Sequence, residues 1–89
     1  MLSGKVTIQS ETGLHLRPAS VLCNIAIQYP CKIELRTDSK TVNAKSVLGV
    51  LSACVKFKDE VEIICDGDKE EEAFQVISEA LASNFENYH

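Results

Sequence analysis

Gly13-Leu14-His15-Leu16-Arg17-Pro18-Ala19 is the stretch from which the fold is read, because one periodicity stops there and another begins. Upstream, Leu2, Val6 and Ile8 share a face and Lys5 and Thr7 lie on the other, the two-residue period of a half-buried strand over residues 2–8. Downstream, Ala19, Leu22, Cys23 and Ala26 recur at three- and four-residue spacing, the buried stripe of a helix over residues 16–28, with Ser20, Asn24 and Gln28 between them. Thr12-Gly13 closes the strand, since glycine permits a sharp turn, including one with positive φ. Pro18 costs little in the first turn of a helix, where backbone N–H groups lack intrahelical acceptors, and Pro30 stops the helix from continuing.

The junction carries His15, one of two histidines in the chain. The unpaired N–H groups of a helix start attract anions, and the guanidinium of Arg17 would add charge-assisted bonds to a phosphate held there. A neutral imidazole is a nucleophile that forms covalent intermediates, and it is well populated near neutral pH. His15 and Arg17 therefore read as the reacting pair of a phosphoryl-accepting site, with Gly13 and Pro18 supporting the helix start. A lone histidine in such a place is more often a cap or a surface residue. The surrounding Gly, Arg and Pro weigh against that bland reading without deciding it.

Further on, Cys31, Ile33 and Leu35 alternate with Lys32, Glu34 and Arg36, a second strand. Asp38-Ser39 turns it into a short strand over 40–43, forming an antiparallel hairpin. Ser46, a favoured N-cap, stands before Val47, Leu48, Val50 and Leu51, with Gly49 where a capping box would need Glu or Gln. So short a helix cannot bury Val47, Leu48 and Leu51 together. Some of them are expected to form an exposed apolar patch of the kind that docks partners. Val61, Ile63 and Cys65 alternate with Glu60, Glu62 and Asp66, a fourth strand whose polar face is interrupted by Ile64. Asp66-Gly67 turns the chain, Asp68 to Glu71 matches a D-x-x-E helix start, and Ala73, Val76, Ile77, Ala80 and Leu81 trace a stripe to about residue 84. Residues 84–89 show no pattern, and the terminal His89 is expected to be solvated. The predicted order is βαββαβα. One polar sheet face and helices with one apolar stripe imply an α+β open-faced β-sandwich, a four-stranded antiparallel sheet with three helices on one face.

Eighty-nine residues suit a single domain over 1–89, and 45% hydrophobic with 25% charged residues is an ordinary globular composition. The apolar runs are too short for membrane insertion and no secretory leader is visible, so the cytoplasm is the expected location. Cys23, Cys31, Cys54 and Cys65 contain no CxxC spacing. They are expected to be mostly small buried thiols, with no metal and no cofactor. The net charge of −4 is unevenly spread: residues 13–58 hold seven Lys or Arg against two acids, and residues 59–89 hold ten acids against one Lys. A basic site-bearing segment suits acidic protein partners and faster encounter with them. It would also suit nucleic acid, but nothing pairs those charges with stacking aromatics on a strand, which argues against direct nucleic-acid binding.

The segment Gly13–Ala19 resembles the active-centre signature of HPr, the histidine-containing phosphocarrier family of the bacterial sugar phosphotransferase system. Asn43-Ala44-Lys45-Ser46-Val47-Leu48-Gly49-Val50-Leu51 resembles that family's regulatory-serine region, and the similarity covers nearly the whole chain. The resemblance implies that His15 takes a phosphoryl group from phosphorylated enzyme I, charged by phosphoenolpyruvate, and passes it to the IIA component of a sugar permease. It also implies phosphorylation of Ser46 by an HPr kinase/phosphorylase and contact with a catabolite-control transcription regulator. The protein would be a monomeric phosphorylated intermediate rather than an enzyme with its own turnover. Two positions depart from the family's pattern: Leu16, where a small residue is usual, and Cys54, where glycine is usual near the helix exit. Leu16 keeps open an HPr-like regulatory binding protein controlled at Ser46, with little sugar transport. Cys54 suggests an altered exit, since residues other than glycine disfavour the left-handed cap.

Overall fold

In a computed structural model the chain is described over residues 1–11, 13–83 and 85. The elements follow the predicted order: β1 Leu2–Thr7, α1 Leu16–Ala26, β2 Lys32–Arg36, β3 Thr41–Asn43, α2 Val47–Ser52, β4 Glu60–Asp66 and α3 Glu70–Ala82. The strands form one antiparallel sheet in the order β1-β4-β2-β3. In the sheet centre Ile63 lies opposite Gly4 on one side and Leu35 on the other. The alternation therefore sends Ile33, Leu35, Val61, Ile63 and Cys65 to the covered face, where they meet Ala19, Leu22, Ala26, Ala73, Ile77 and Leu81 of the helices. Burying each Val, Leu or Ile side chain among them contributes about 1.5–3 kcal/mol relative to exposure. The open face carries the ion pairs Arg36–Glu62 at 3.1 Å, Lys5–Glu60 at 3.6 Å and Lys32–Glu34 at 3.8 Å. Ile64 interrupts it as the alternation implied, buried opposite Ser3 and Glu34.

Local chemistry moves several boundaries. α1 stops at Ala26 rather than Gln28, because Gln28 N–H and Tyr29 N–H donate to Ile25 and Ala26 three residues back and tighten the last turn. Lys45 Nζ then donates to the Tyr29 carbonyl at 2.7 Å, tying the end of α1 to the approach to α2. The hairpin turn is organised by Thr37: its Oγ1 accepts from Ser39 N–H and Lys40 N–H, and its own N–H donates to Lys40 O at 2.8 Å.

The Asp68–Glu71 start does not form. The N-cap of α3 is Lys69 in the left-handed region at φ 64°, and the carboxylate of Glu70 accepts from Gly67 N–H at 3.0 Å. The three-residue reach is therefore made one residue earlier than the sequence suggested, because Gly67 at φ 130° turns its N–H back toward the helix. α3 packs closely on β1: a Cβ at Gly4 would stand 2.7 Å from the Phe74 ring. The helix ends at Ala82, short of residue 84. Phe85, expected in a patternless tail, is instead buried in the core, with its N–H donating to Ala80 O at 2.6 Å. That six-to-one bond with an apolar contact closes the helix in the Schellman manner. The expectations for Thr12 and His89 lie outside the described residues.

All four cysteines are free thiols; Cys23, Cys31 and Cys65 are buried and Cys54 is exposed. Burial pushes the Cys65 thiol up to about 11, with Cys31 nearby adding to the effect, and burial raises Cys23 as well. Among the described residues no helix is long and apolar enough to cross a membrane.

Candidate functional site

His15 is the N-cap of α1, in extended conformation at φ −96° and ψ −162°, and its side chain is exposed. Its carbonyl accepts the Ala19 N–H at 2.9 Å, the first bond of the helix, while its side chain makes no capping bond. The first turn contains no acidic residue. The imidazole therefore stands at the positive end of an eleven-residue helix whose first turn carries no acidic side chain. Arg17 is exposed two residues on and takes part in none of the ion pairs among the described residues. Pro18 sits half-buried in the first turn, where its missing N–H costs nothing.

The loop before His15 is held firmly. Gly13 adopts φ 74°, and its N–H donates to Ser10 O at 2.9 Å. A Cβ there would fall on the Val55 carbonyl oxygen and 3.0 Å from Lys56 Cα, so both the conformation and the space demand glycine. Leu14 is buried in the core, and its N–H donates to Val55 O at 3.0 Å. Leu14 and Val55 are positioning residues that the sequence did not single out. A backbone-to-backbone bond across 41 positions leaves no side-chain signature.

Leu16, beside His15, is 63% exposed and adds apolar surface at the helix start. Of the three residues expected to form a docking patch on α2, Leu48 stands out at 79% exposed. Val47 and Leu51 are half-buried and pack against the core, while Val50 fills it. Ser46 is the N-cap of α2, and its Oγ accepts from Gly49 N–H at 3.1 Å, the cap that the sequence implied. The helices α1 and α2 pack together.

The exit of α2 is not the altered one that Cys54 suggested. Cys54 takes up the left-handed conformation at φ 53°, and its N–H donates to Leu51 O at 3.2 Å. The turn that glycine would make is retained, with a cysteine held in it.

An open-faced antiparallel sheet that presents an exposed histidine at an uncapped helix start, with an arginine in the same turn, defines a small domain of the histidine phosphocarrier class. The family pattern described as the PTS HPr component phosphorylation site matches residues 2–83, and the chain belongs to the HPr family, the phosphocarriers of the phosphotransferase system. It is 36% identical over 78 residues to the HPr-like protein Crh of Bacillus subtilis (strain 168), covering 88% of this chain and 92% of that one. Among solved structures it is similar to HPr-C-His from Thermoanaerobacter tengcongensis, with TM-score 0.92, 35% identity and 96% of each chain covered. It is also similar to an HPr dimer from the same organism, with TM-score 0.76, 35% identity, and 96% of this chain and 98% of that chain covered.

Proposed function

We propose that this chain carries a phosphoryl group on His15, taking it from phosphorylated enzyme I and giving it to IIA components of sugar permeases. The observation that carries this reading is the exposed imidazole at the start of α1, with no acid in the first turn and Arg17 beside it. A ring nitrogen of His15 supplies its lone pair to phosphorus as the bond to the donor breaks, and the donor leaves with that bond's electron pair. The free N–H groups of the first turn and the Arg17 guanidinium stabilise the phosphoryl oxygens, so positioning and electrostatics carry the step. Val47, Leu48 and Leu51 with the neighbouring Leu16 form the apolar part of the docking face. Its contacts are small and transient, since a carrier releases each partner. A cytoplasmic location and a monomeric carrier go with this reading. Three solved structures of relatives are dimers, so the mass of the unphosphorylated protein in solution belongs to the test.

Ser46 is the site of control. A phosphate there adds about −1.5 to −2 charges beside Leu48, which repels acidic partners. The enzyme adding it would be an HPr kinase/phosphorylase, and the serine-phosphorylated form is the one a catabolite-control transcription regulator would read. The similarity to Crh, together with Leu16 standing exposed beside His15, favours a second reading: a regulatory binding protein controlled at Ser46 that passes little phosphate to sugars.

One experiment separates the two. Enzyme I and labelled phosphoenolpyruvate are expected to give rapid, acid-labile labelling that His15→Ala abolishes. Labelling unchanged in His15→Ala would refute the carrier mechanism. Absence of labelling, with ATP-dependent acid-stable labelling at Ser46, would move the protein to the regulatory class.

A further inference from the structure

Backbone bonds tie Ile8 and Leu14 to residues 55–59. Ile8 N–H donates to Asp59 O at 2.8 Å, Lys58 N–H to Ile8 O at 2.9 Å, and Leu14 N–H to Val55 O at 3.0 Å. The second segment is itself closed by Lys56 N–H to Asp59 Oδ2 at 2.9 Å and Asp59 N–H to Lys56 O at 3.0 Å. The chain entering His15 is thus held at both ends by the chain leaving α2. The last fixed point before His15 is Leu14, and its acceptor, the Val55 carbonyl, belongs to the residue that follows Cys54.

The direction of the chain at Val55 depends on the backbone of Cys54, which is left-handed at φ 53°. Were Cys54 right-handed like the helix before it, the chain would run on in the direction of α2 and the Val55 carbonyl would leave the Leu14 N–H. The Cys54 side chain lines an open polar cleft of about 470 Å³ with Asp38, Ser39 and Lys56. Its influence on the site therefore runs through the main chain.

We infer that Cys54 is a positioning residue for His15: its left-handed turn aims the Val55 carbonyl at the Leu14 N–H and so sets the angle at which the imidazole enters α1. The inference rests on the reading of His15 as phosphoryl acceptor and adds a determinant of its geometry on a different element. It also places a mechanical link between the two ends of the site. Ser46 caps the start of α2, and the residue just past the end of α2 begins the segment that holds the loop before His15.

The test uses the intact protein with phosphorylated enzyme I and compares wild type with Cys54→Gly, Cys54→Asn, Cys54→Ala and Cys54→Val. Ile77→Val serves as a conservative core control on α3. Glycine holds a left-handed turn freely and asparagine tolerates it, while alanine resists it and a β-branched residue is an outlier there. A kcat at or above wild type is expected for Cys54→Gly and Cys54→Asn, and one no higher than wild type for Cys54→Ala, whose Cβ resists the turn as that of the cysteine does. Cys54→Val is expected to lose on the order of tenfold, with KM for enzyme I within about twofold, as for a misoriented nucleophile. Leu14 amide exchange accelerates in the same order. Ile77→Val lowers the thermal midpoint and leaves both readouts unchanged.

If Cys54→Val does not fold, the order Gly, Asn, Ala decides: a graded fall supports the inference and a flat series overturns it. A loss of kcat in Ile77→Val parallel to that at position 54 would also overturn it, since the effect would then be general destabilisation. If wild type is not labelled at all, the carrier reading fails. Leu14 exchange then judges the geometry alone, with equal protection in Cys54→Gly and Cys54→Ala counting against it.

Discussion

The starts of α1 and α3 face the same electrostatic situation and meet it in opposite ways. Neither N-cap residue, His15 or Lys69, makes a side-chain capping bond. At α3 the first turn holds Glu70, Glu71 and Glu72, and the Glu70 carboxylate accepts from Gly67 N–H. The positive end of that helix is neutralised by its own sequence. At α1 the first turn holds no acid, and the exposed side chains beside His15 are Leu16 and Arg17. The start of α2 lies between them, capped by the neutral Ser46 hydroxyl. A helix start serves stability when the chain supplies its anion; at α1 the first turn supplies none, which under the proposed function leaves that place for a phosphoryl group.

Filling the open start is expected to have the largest effect. Leu16→Glu gives α1 the kind of acid that α3 has. It is expected to raise stability by about 0.3–1 kcal/mol. It is also expected to slow phosphoryl transfer by at least on the order of tenfold, because a carboxylate a few ångströms from the incoming oxygens repels them. Thermal unfolding and single-turnover labelling of one preparation read both effects, and a variant that is more stable and equally fast would dissolve the contrast.

Emptying the middle case comes next. Ser46→Ala removes the bond to Gly49 N–H and is expected to cost about 1 kcal/mol. That corresponds to roughly 4–8 °C in thermal midpoint for a domain of this size, with His15 labelling retained.

The smallest effect belongs to the filled start. The bond from Gly67 N–H, and then the amino group of Met1, hold the Glu70 carboxyl below its ordinary value. A carboxyl lowered in the folded state contributes stability at neutral pH, and that contribution disappears as pH falls below about 4.5 through the folded value. Glu70→Gln is therefore expected to lower the unfolding midpoint slightly at pH 7. The difference from wild type should close by pH 3, and a gap that persisted there would show that packing, not charge, holds the turn.

The same contrast explains what the sequence could disclose. Strands and helices were legible because Val61, Ile63 and Cys65, or Ala19, Leu22 and Ala26, repeat a period that burial enforces. The sequence singled out His15, Arg17 and Ser46 by side-chain chemistry at element boundaries, and the structure has His15 and Ser46 as the N-caps of α1 and α2. The left-handed N-cap at Lys69 was not legible, since nothing in lysine announces that conformation and the D-x-x-E pattern placed the cap one residue earlier, at Asp68. Phe85 was missed because a single aromatic in a tail has no period, although its core contact closes α3. The Leu14–Val55 bond was missed because main-chain groups are the same in every residue. Cys54 misled in the other direction. Its side chain argued against a left-handed turn, and the packing of two adjacent loops overrode that local preference.

The strand order β1-β4-β2-β3 has a consequence in time as well as in space. Among the described strands β1 pairs only with β4, which begins at Glu60, so β1 waits for its partner while the residues between them are made. During that interval the hairpin of β2 and β3 is the one strand pairing available among the described strands. The loop before His15 waits as well, since its anchor at Val55 lies more than halfway along the sequence. Closing such distant contacts carries a loop entropy that local helices do not face, which places this fold among the slower small domains. The residues around His15 are made before their anchors and reach this arrangement only after the chain has grown past Asp59. A truncated or stalled product therefore carries the histidine without the geometry that lets it serve.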